Sequence, residues 1–361
     1  MPEPPGDTVR KGEHVRAARL HSYEEDHLHL DEIAEPDLRD PHDVIVRIGG
    51  AGLCRTDLHI IEGIWKEILD PDLPYTLGHE NAGWVEEVGD AVRTVSRGDP
   101  VIVHPLRSCG VCLGCRRGED MYCENGTFPG LNVEGGFANF LCTTERALIK
   151  LDESLEPGDV APLADAGITA YRAAKKAALE LPPGSRCVVI GVGGLGHVAV
   201  QVLRALCAAE IIAVDTSEDS LKLAGETGAD ELVTSDAHVV ERVRELSGGR
   251  GVDAVIDFVG EHGTTKQGPA MLAQGGSYYV VGYGGRVDLP AIEIIFSEIN
   301  VIGNLVGNYV ELTELMALAA QGKVTLRTKT YGLDQINEAI DDFVAGQIHG
   351  RGVIVPDGRL S

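Results

Sequence analysis

The chain has 361 residues, 43 % of them hydrophobic, which is enough for two domains with buried cores. Its formal net charge of −25 argues against nucleic-acid binding, because phosphate would be repelled. The sequence contains no run of about 18 apolar residues, so no membrane span is predicted. Residues 1–14 include no apolar segment of the kind found in secretory signals, and we therefore expect a soluble, cytoplasmic protein.

The first part of the chain shows the alternation of apolar and polar residues that is typical of short antiparallel strands. The clearest runs are DVIVRI (43–48), AGWVEEVG (82–89) and DPVIVHP (99–105). Glycine and aspartate residues separate these runs and predict tight turns. This pattern predicts a mainly β domain over residues 1–165.

A cysteine-rich segment interrupts this domain at about residues 105–125. Its four cysteines, with two, two and seven residues between them, are Cys109, Cys112, Cys115 and Cys123. Four thiolates at this spacing can complete a tetrahedron around one Zn²⁺. An iron–sulfur cluster is the main alternative, but its usual continuation with three residues and Cys-Pro is missing here. We predict a structural zinc ion, because four thiolates leave no position for water or substrate.

From about residue 166 to residue 307, short apolar strands alternate with helices, as in a doubly wound parallel sheet. The segment GVGGLG (191–196) follows a strand and opens a helix, and it matches the dinucleotide-binding fingerprint. Its glycines allow a tight turn and a close approach of the backbone to pyrophosphate at the helix N-terminus. The candidate cofactor-binding residues of this segment are Gly191, Gly193, Gly194, Leu195 and Gly196.

An acidic residue completes the fingerprint at the end of the next strand. Asp215 follows Gly196 by 19 residues and is placed to accept a hydrogen bond from the adenosine ribose 2′-hydroxyl. A carboxylate at this position repels a 2′-phosphate, which favours NAD over NADP. The alternative interpretation is an α/β fold with a tight turn and no nucleotide.

The last part of the chain predicts two helices and a strand, in ELTELMALAAQGK (311–323), LDQINEAIDDFVAGQ (333–347) and RGVIVP (351–356). We expect residues 308–361 to return to the first domain. The preceding segment INVIGNLVGN (299–308) is a candidate edge strand that pairs between two copies of the chain.

A third group of candidates is separated in sequence. Cys54, His79 and Asp165 are a thiolate, an imidazole and a carboxylate, the kind of three-ligand set that leaves a catalytic zinc ion one open position. Spacing alone does not prove this set. Asp165 also suits the N-cap of the following helix, and His79 also suits a hydrogen-bonded core position.

Taken together, these motifs resemble those of the zinc-dependent medium-chain alcohol dehydrogenases over nearly the whole chain. The segments that carry the resemblance are CRTDLH (54–59), GHENAGWVEEVG (78–89), the four-cysteine segment, GVGGLGHVAVQ (191–201) and GRGVIVP (350–356). The resemblance implies an α/β protein with a GroES-like, mainly β catalytic domain, a doubly wound Rossmann domain and a zinc site in the cleft between them. It also implies NAD and two Zn²⁺ ions per chain as cofactors.

The resemblance assigns site residues by position. It implies that Cys54, His79 and Asp165 bind the catalytic zinc ion, and that Glu80 is an acidic group able to approach the metal.

By the same carry-over, Thr56 and His59 form a proton relay, and Arg55 and Arg351 contact the cofactor pyrophosphate. His59 has a second interpretation as an exposed polar turn residue.

Two positions depart from the common family pattern. Many members have cysteine where this chain has Asp165, and a harder ligand leaves the zinc ion more electrophilic. The family also often has a lysine about five residues after the ribose-binding acid, where this chain has Ser220, with Lys222 nearby.

The expected activity is NAD-dependent, reversible hydride transfer between a primary or secondary alcohol and its aldehyde or ketone. A polyol, sugar or formaldehyde-adduct dehydrogenase on the same scaffold is the first alternative, and a non-catalytic NAD-binding sensor is the second. Small-molecule substrates and a homotetramer, with a homodimer as the alternative, are the expected partners.

Overall fold

The structure is a computed structural model that describes residues 15–23, 25–69 and 71–356. Residues 1–14, for which no secretory signal is expected, lie outside this part of the chain. No helix among the described residues is long and apolar enough to span a bilayer.

The described residues include sixteen strands. In chain order they are β1 (Val15–Leu20), β2 (His29–Ile33), β3 (Asp43–Leu53), β4 (Tyr75–Thr76), β5 (Glu80–Val88), β6 (Pro100–Val103), β7 (Phe140–Thr144), β8 (Leu148–Lys150), β9 (Arg186–Ile190), β10 (Glu210–Asp215), β11 (Glu231–Thr234), β12 (Val252–Asp257), β13 (Leu272–Val280), β14 (Asn300–Gly303), β15 (Thr328–Gly332) and β16 (Arg351–Val355).

They also include twelve α-helices, which are α1 (Arg55–Ile61), α2 (Lys66–Leu69), α3 (Leu113–Arg116), α4 (Pro157–Val160), α5 (Ala166–Leu179), α6 (Gly196–Leu206), α7 (Glu218–Thr227), α8 (Val239–Leu246), α9 (Thr264–Met271), α10 (Ala291–Ser297), α11 (Tyr309–Ala320) and α12 (Ile336–Val344). Short 3-10 helices lie at Asp120–Tyr122, Glu145–Ala147, Ala161–Ala164 and Leu333–Gln335.

The chain divides into two compact units. The first contains residues 1–165, 308–316 and 326–361, and the second contains residues 166–307 and 317–325.

The first unit is built on a seven-stranded sheet with the order β15-β16-β3-β5-β6-β8, in which β7 also pairs with β3. The neighbours are antiparallel except for β15 and β16. The first unit also contains a separate three-stranded sheet with the order β2-β1-β4. The last strand of the described chain, β16, pairs with β3, so a sheet that begins near residue 43 is completed by residues 351–355.

The second unit is a six-stranded, all-parallel sheet with the order β11-β10-β9-β12-β13-β14. Its central strands are apolar on both faces, since β9 and β10 are almost wholly buried, which is the pattern of a sheet covered by helices. The strand order reverses at β9, whose carboxyl end therefore lies at the point where doubly wound sheets bind ligands.

Candidate active site

The first candidate ligand lies immediately before helix α1. Cys54 is the N-cap residue, with extended φ and ψ of −120° and 158°. Its backbone N–H donates to Oδ2 of Asp57 at 2.9 Å, and this hydrogen bond caps the first turn of the helix. This contact fixes the backbone that carries the Cys54 thiol.

The other candidate ligands lie at the ends of neighbouring elements. His79 and Glu80 are at the start of β5, and both are buried, with exposures of 1 % and 0 %. Asp165 follows the 3-10 helix Ala161–Ala164 and precedes α5. One ligand atom from each of Cys54, His79, Glu80 and Asp165 lies within 4.8 Å of the others, so the structure brings these residues together.

The donor atoms of this group fit a metal ion. His79 Nε2 and Asp165 Oδ1 are buried and make no hydrogen bond within the described residues, although buried polar atoms are nearly always satisfied. His79 Nε2 and Asp165 Oδ2 are 3.5 Å apart. Ligands at about 2.0–2.3 Å from a tetrahedral zinc ion are separated by about 3.3–3.8 Å, which matches this distance.

The electrostatic surroundings of His79 also favour a cation. Burial alone lowers the pKa of His79, but the negative charge of Asp57 and of the other anionic groups beside the ring outweighs it and raises the pKa well above its ordinary value. The surroundings of His79 therefore favour a positive charge in this pocket. A divalent ion on Nε2 satisfies the same charge requirement.

Asp57 is a functional candidate that the sequence interpretation did not assign. It is fully buried, and its Oδ1 lies 3.2 Å from His79 Nδ1, so it accepts from the ring nitrogen that faces away from the metal position. A carboxylate behind a ligating histidine fixes the ring orientation and raises its basicity. The available signal was an acidic residue three positions after an N-cap.

We expect Asp57→Asn to weaken zinc binding at the Cys54 site about 10- to 100-fold, because the carboxylate charge behind His79 is lost. Zinc affinity by competition with a chromophoric chelator measures the change. Asp152→Asn, at an exposed carboxylate that accepts hydrogen bonds from nearby Ser154, is the control. Unchanged affinity in the Asp57 variant would show that the carboxylate does not orient the ligand.

Glu80 forms a buried ion pair with Arg351, which is 3 % exposed and begins strand β16. Burial raises the pKa of Glu80, and the Arg351 guanidinium opposes that shift. A β-carbon on Gly52 would lie 1.9 Å from Glu80 Oε2, so a glycine at position 52 is needed for Glu80 to reach this position. The pair places the Arg351 guanidinium beside the candidate metal ligands.

The remaining candidates of this motif lie on α1. Arg55 is exposed, whereas Thr56 and His59 are half-buried. Thr56 and His59 are three residues apart on the helix, so their side chains are neighbours on one face. Half-exposed groups adjacent to a buried pocket can connect it to solvent.

The four-cysteine group is also assembled. One sulfur atom from each of Cys109, Cys112, Cys115 and Cys123 lies within 4.8 Å of the others. The Sγ atoms of Cys112 and Cys115 are 3.5 Å apart, and those of Cys109 and Cys115 are 4.0 Å apart. Sulfur atoms at about 2.3 Å from a tetrahedral zinc ion are separated by about 3.8 Å, so the group fits the ion.

Backbone N–H groups stabilise the thiolate form of one of these cysteines. Backbone hydrogen bonds from Val111 and Cys112 lower the pKa of Cys109 to about 6, which favours the thiolate. Burial raises the pKa of Cys115 to about 12, so its thiolate needs a cation nearby. The group is chemically suited to a bound ion and poorly suited to four free thiols.

A buried carboxylate attaches this segment to the rest of the first unit. Asp120 is 4 % exposed and accepts from Ser108 Oγ at 3.0 Å, from Arg146 Nη2 at 3.0 Å and from the backbone N–H of Tyr309 at 3.3 Å. Burial raises the pKa of Asp120, but these hydrogen bonds outweigh it and lower the pKa below its usual value.

In the second unit, the glycine-rich turn joins β9 to α6. Gly191 has a φ of +80°, which requires glycine, and a β-carbon on Gly196 would lie 2.0 Å from the Gly191 carbonyl oxygen. A β-carbon on Gly193 would meet no atom within 4 Å, so the space beside this residue is open. Leu195 is the N-cap of α6, and Gly194 precedes it in the turn.

Asp215 ends β10 beside this turn. Its Oδ2 accepts from Val192 N at 2.8 Å and its Oδ1 accepts from Ser217 N at 2.9 Å. Two backbone donors hold the carboxylate in one orientation, where its remaining lone pairs can accept from a ribose hydroxyl. Ser220 lies in the first turn of α7, bonded to the Ser217 cap, and Lys222 is exposed on the same helix.

Comparison with known proteins matches two family models to this chain. Residues 40–153 match the alcohol dehydrogenase GroES-like domain, and residues 194–321 match the zinc-binding dehydrogenase domain. The first match contains Cys54, His79 and the four-cysteine group, and the second contains the last three residues of the glycine-rich turn and Asp215.

Full-length relatives give the same result. An NAD-dependent alcohol dehydrogenase of Sulfolobus acidocaldarius is 39 % identical over 348 residues, or 94 % of this chain and 99 % of the relative. A D-arabinose 1-dehydrogenase (NADP⁺) of Saccharolobus solfataricus is 36 % identical over 319 residues, or 87 % of this chain and 90 % of the relative. The crystal structure of the alcohol dehydrogenase of Aeropyrum pernix is 50 % identical, with a TM-score of 0.91 over 94 % of this chain and 100 % of that one.

These matches confirm the expected GroES-like and Rossmann fold class and the expected oxidoreductase class of enzyme. The chain belongs to the family of zinc-dependent medium-chain alcohol dehydrogenases.

Proposed function

We propose that this chain catalyses reversible, NAD-dependent oxidation of primary or secondary alcohols to aldehydes or ketones. The observation that carries the proposal is the set formed by buried Cys54 and His79 and partly buried Asp165, in which two donor atoms have no hydrogen-bond partner within the described residues. The named relatives and the intact dinucleotide fingerprint support the same activity.

Cys54, His79 and Asp165 would hold one zinc ion in this proposal, with Glu80 close enough to approach it. Bound there, the ion would supply Lewis-acid chemistry that makes an alcohol hydroxyl more acidic. Arg351 keeps the Glu80 carboxylate paired and so prevents an isolated buried charge. The four-cysteine group would hold the second, structural ion.

The proton that the substrate loses would reach solvent by way of side chains on α1. The Thr56 hydroxyl both accepts and donates, so it can pass a proton without holding a charge. His59 is half-exposed, and an imidazole can both accept and donate a proton, which suits a group that returns protons to solvent. Both residues would therefore carry protons between the buried group and water.

The second unit would bind NAD, which would accept the hydride. The open space beside Gly193 and the N-terminus of α6 suit the pyrophosphate, and Arg55 and Arg351 are the proposed cationic contacts to it. Asp215 would accept from the adenosine ribose.

The activity is tested with purified, zinc-loaded protein, NAD⁺ and a panel of short primary and secondary alcohols, with NADH absorbance as the readout. We expect NADH formation that stops when a chelator removes the zinc ion held by Cys54. Oxidation of sugars alone would contradict the choice of alcohols.

A sugar dehydrogenase is the second candidate, favoured by the D-arabinose 1-dehydrogenase relative at 36 % identity. The same panel should include D-arabinose and other aldoses with NAD⁺ and NADP⁺. A kcat/KM for an aldose that exceeds that for every alcohol would select this function.

We expect Asp215→Ser to lower kcat/KM with NAD⁺ about tenfold or more and to raise it with NADP⁺. The variant loses a charged acceptor for the ribose hydroxyl, which is worth about 1.5–3 kcal/mol, and removes repulsion of a 2′-phosphate. Steady-state kinetics with both cofactors measure the ratio. Asp236→Ser, at an exposed surface carboxylate, should leave it unchanged. An unaltered cofactor preference in the Asp215 variant would remove this residue from the cofactor site.

We further infer self-association to a homotetramer, with a homodimer as the alternative. Strand β14 ends its sheet, and large apolar side chains around it are exposed, among them Ile295, Phe296 and Leu305 at 67 %, 73 % and 54 %. Exposed apolar groups at this density are typical of interfaces between copies. Light scattering after gel filtration would show a multiple of 38.4 kDa, and a monomer would contradict the inference.

We also propose that the protein is located in the cytoplasm. The eight cysteines are all free, and five of them belong to the two metal-binding groups, which suits a reducing compartment.

A further inference from the structure

Histidine and acidic residues are concentrated at a second place in the first unit, the connection between β1 and β2. Three of the twelve histidines of the chain lie within residues 21–29. Strand β2 is the edge of its sheet, and the register pairs Arg19 of β1 with His29 of β2. Because side chains alternate along a strand, His29 and Asp31 share one face. The hairpin thus places these side chains together on the surface.

Two histidines of this hairpin have their rings in contact at a tilted angle. The ring centroids of His21 and His29 are 4.4 Å apart, with an angle of 38° between the rings. His21 Nε2 lies 2.7 Å from Asp31 Oδ2, and His29 Nε2 makes a short contact with Glu25 Oε2. In each of the two imidazoles, therefore, Nε2 is the nitrogen that contacts a carboxylate.

This arrangement decides which nitrogen can bind a cation. A neutral imidazole that donates from Nε2 to a carboxylate carries its lone pair on Nδ1. Two such rings in contact offer two imidazole donors to one ion. Arg19 lies 4.0 Å from Asp31 but is itself bonded to Glu134 and the Pro74 carbonyl.

We propose that His21 and His29, supported by Asp31 and Glu25, form a third metal site on this chain, for an exchangeable divalent transition-metal ion. Imidazole donors select Zn²⁺, Ni²⁺ or Cu²⁺ over Mg²⁺ or Ca²⁺, which prefer oxygen ligands. The side chains of both histidines are partly exposed, at 38 % and 48 %, so they can adjust to the ion and water completes its coordination. The site shares no residue with the two zinc groups.

The test is titration of the zinc-loaded protein with NiCl₂ by calorimetry, using the wild type, His21→Asn and His29→Asn. We expect one additional nickel ion per chain in the wild type and an affinity at least about tenfold lower in either variant, since each removes one of two imidazole donors. The control is His238→Asn, because His238 is also exposed and lies 3.0 Å from a single carboxylate, Glu241. It should retain wild-type nickel binding.

The number of imidazole ligands is checked with one equivalent of Cu²⁺ and pulsed electron paramagnetic resonance. Two coupled imidazole nitrogens are expected in the wild type and one in each single variant. Absence of the extra nickel site, or its full retention in both histidine variants, would overturn the proposal. Neither measurement depends on turnover of an alcohol, so failure of this site and failure of the proposed activity are distinguishable.

Discussion

Cys54→Ala is expected to lower kcat/KM for alcohol oxidation about 10³-fold or more and to reduce the zinc content from two ions per chain to one. The thiolate is one of three side chains proposed to hold the ion, and a two-ligand site of His79 and Asp165 binds zinc too weakly to stay loaded. A 10³-fold loss corresponds to about 4 kcal/mol of transition-state stabilisation, a plausible share for a Lewis acid. Metal analysis and steady-state kinetics on the same preparation measure both quantities.

Cys142→Ala is the matched control. Cys142 lies in the same unit on strand β7, where burial raises the pKa of its thiol to about 11, and it belongs to neither metal-binding group. This variant should keep two zinc ions and its activity. Full activity in Cys54→Ala, or loss of zinc in the control, would refute the assignment of Cys54 as a ligand.

Cys112→Ser is expected to release the other zinc ion and to lower the melting temperature by about 6–12 °C. Loss of a structural zinc ion removes folding free energy directly, and about 3 kcal/mol in a unit of this size shifts the midpoint by roughly this amount. The segment from Cys109 to Cys123 contains only two very short helices, so it depends on the ion and on Asp120 for its structure. Calorimetry with zinc analysis measures the change.

Limited proteolysis adds a local readout for this variant, because a released segment becomes cleavable while the sheets stay intact. Cys207→Ser, at a half-buried cysteine after α6, is the control and should behave as the wild type. A Cys112 variant with two zinc ions and an unchanged midpoint would show that the group does not hold an ion.

The parts of the site that were predictable from sequence are those formed by neighbours in the chain. The spacing of Cys109, Cys112 and Cys115 constrains three sulfur atoms within seven residues, and Gly191 and Gly196 are each required by the local backbone geometry of the turn. Asp215 follows the same logic, because a strand end is fixed relative to the turn before it.

The contacts within the site that were not predicted from sequence depend on strand register. Asp57 received no role from the sequence, because only the pairing of β3 with β5 brings His79 next to its carboxylate. Arg351 and Glu80 are 271 positions apart and meet because β16 pairs beside β3. Helix α10 was not predicted either. None of its residues is buried, so its sequence lacks the periodic apolar positions from which a helix is predicted.

The pairing of Arg351 with Glu80 has a consequence for biosynthesis. The second unit is nearly contiguous, from residue 166 to residue 307, and most of it can fold as soon as it leaves the ribosome. The first unit cannot be completed then, because Arg351, whose guanidinium neutralises Glu80, is made after the second unit. The nascent chain therefore carries an unfinished first unit throughout translation of the second, and the buried carboxylate acquires its counter-ion only when β16 has been made.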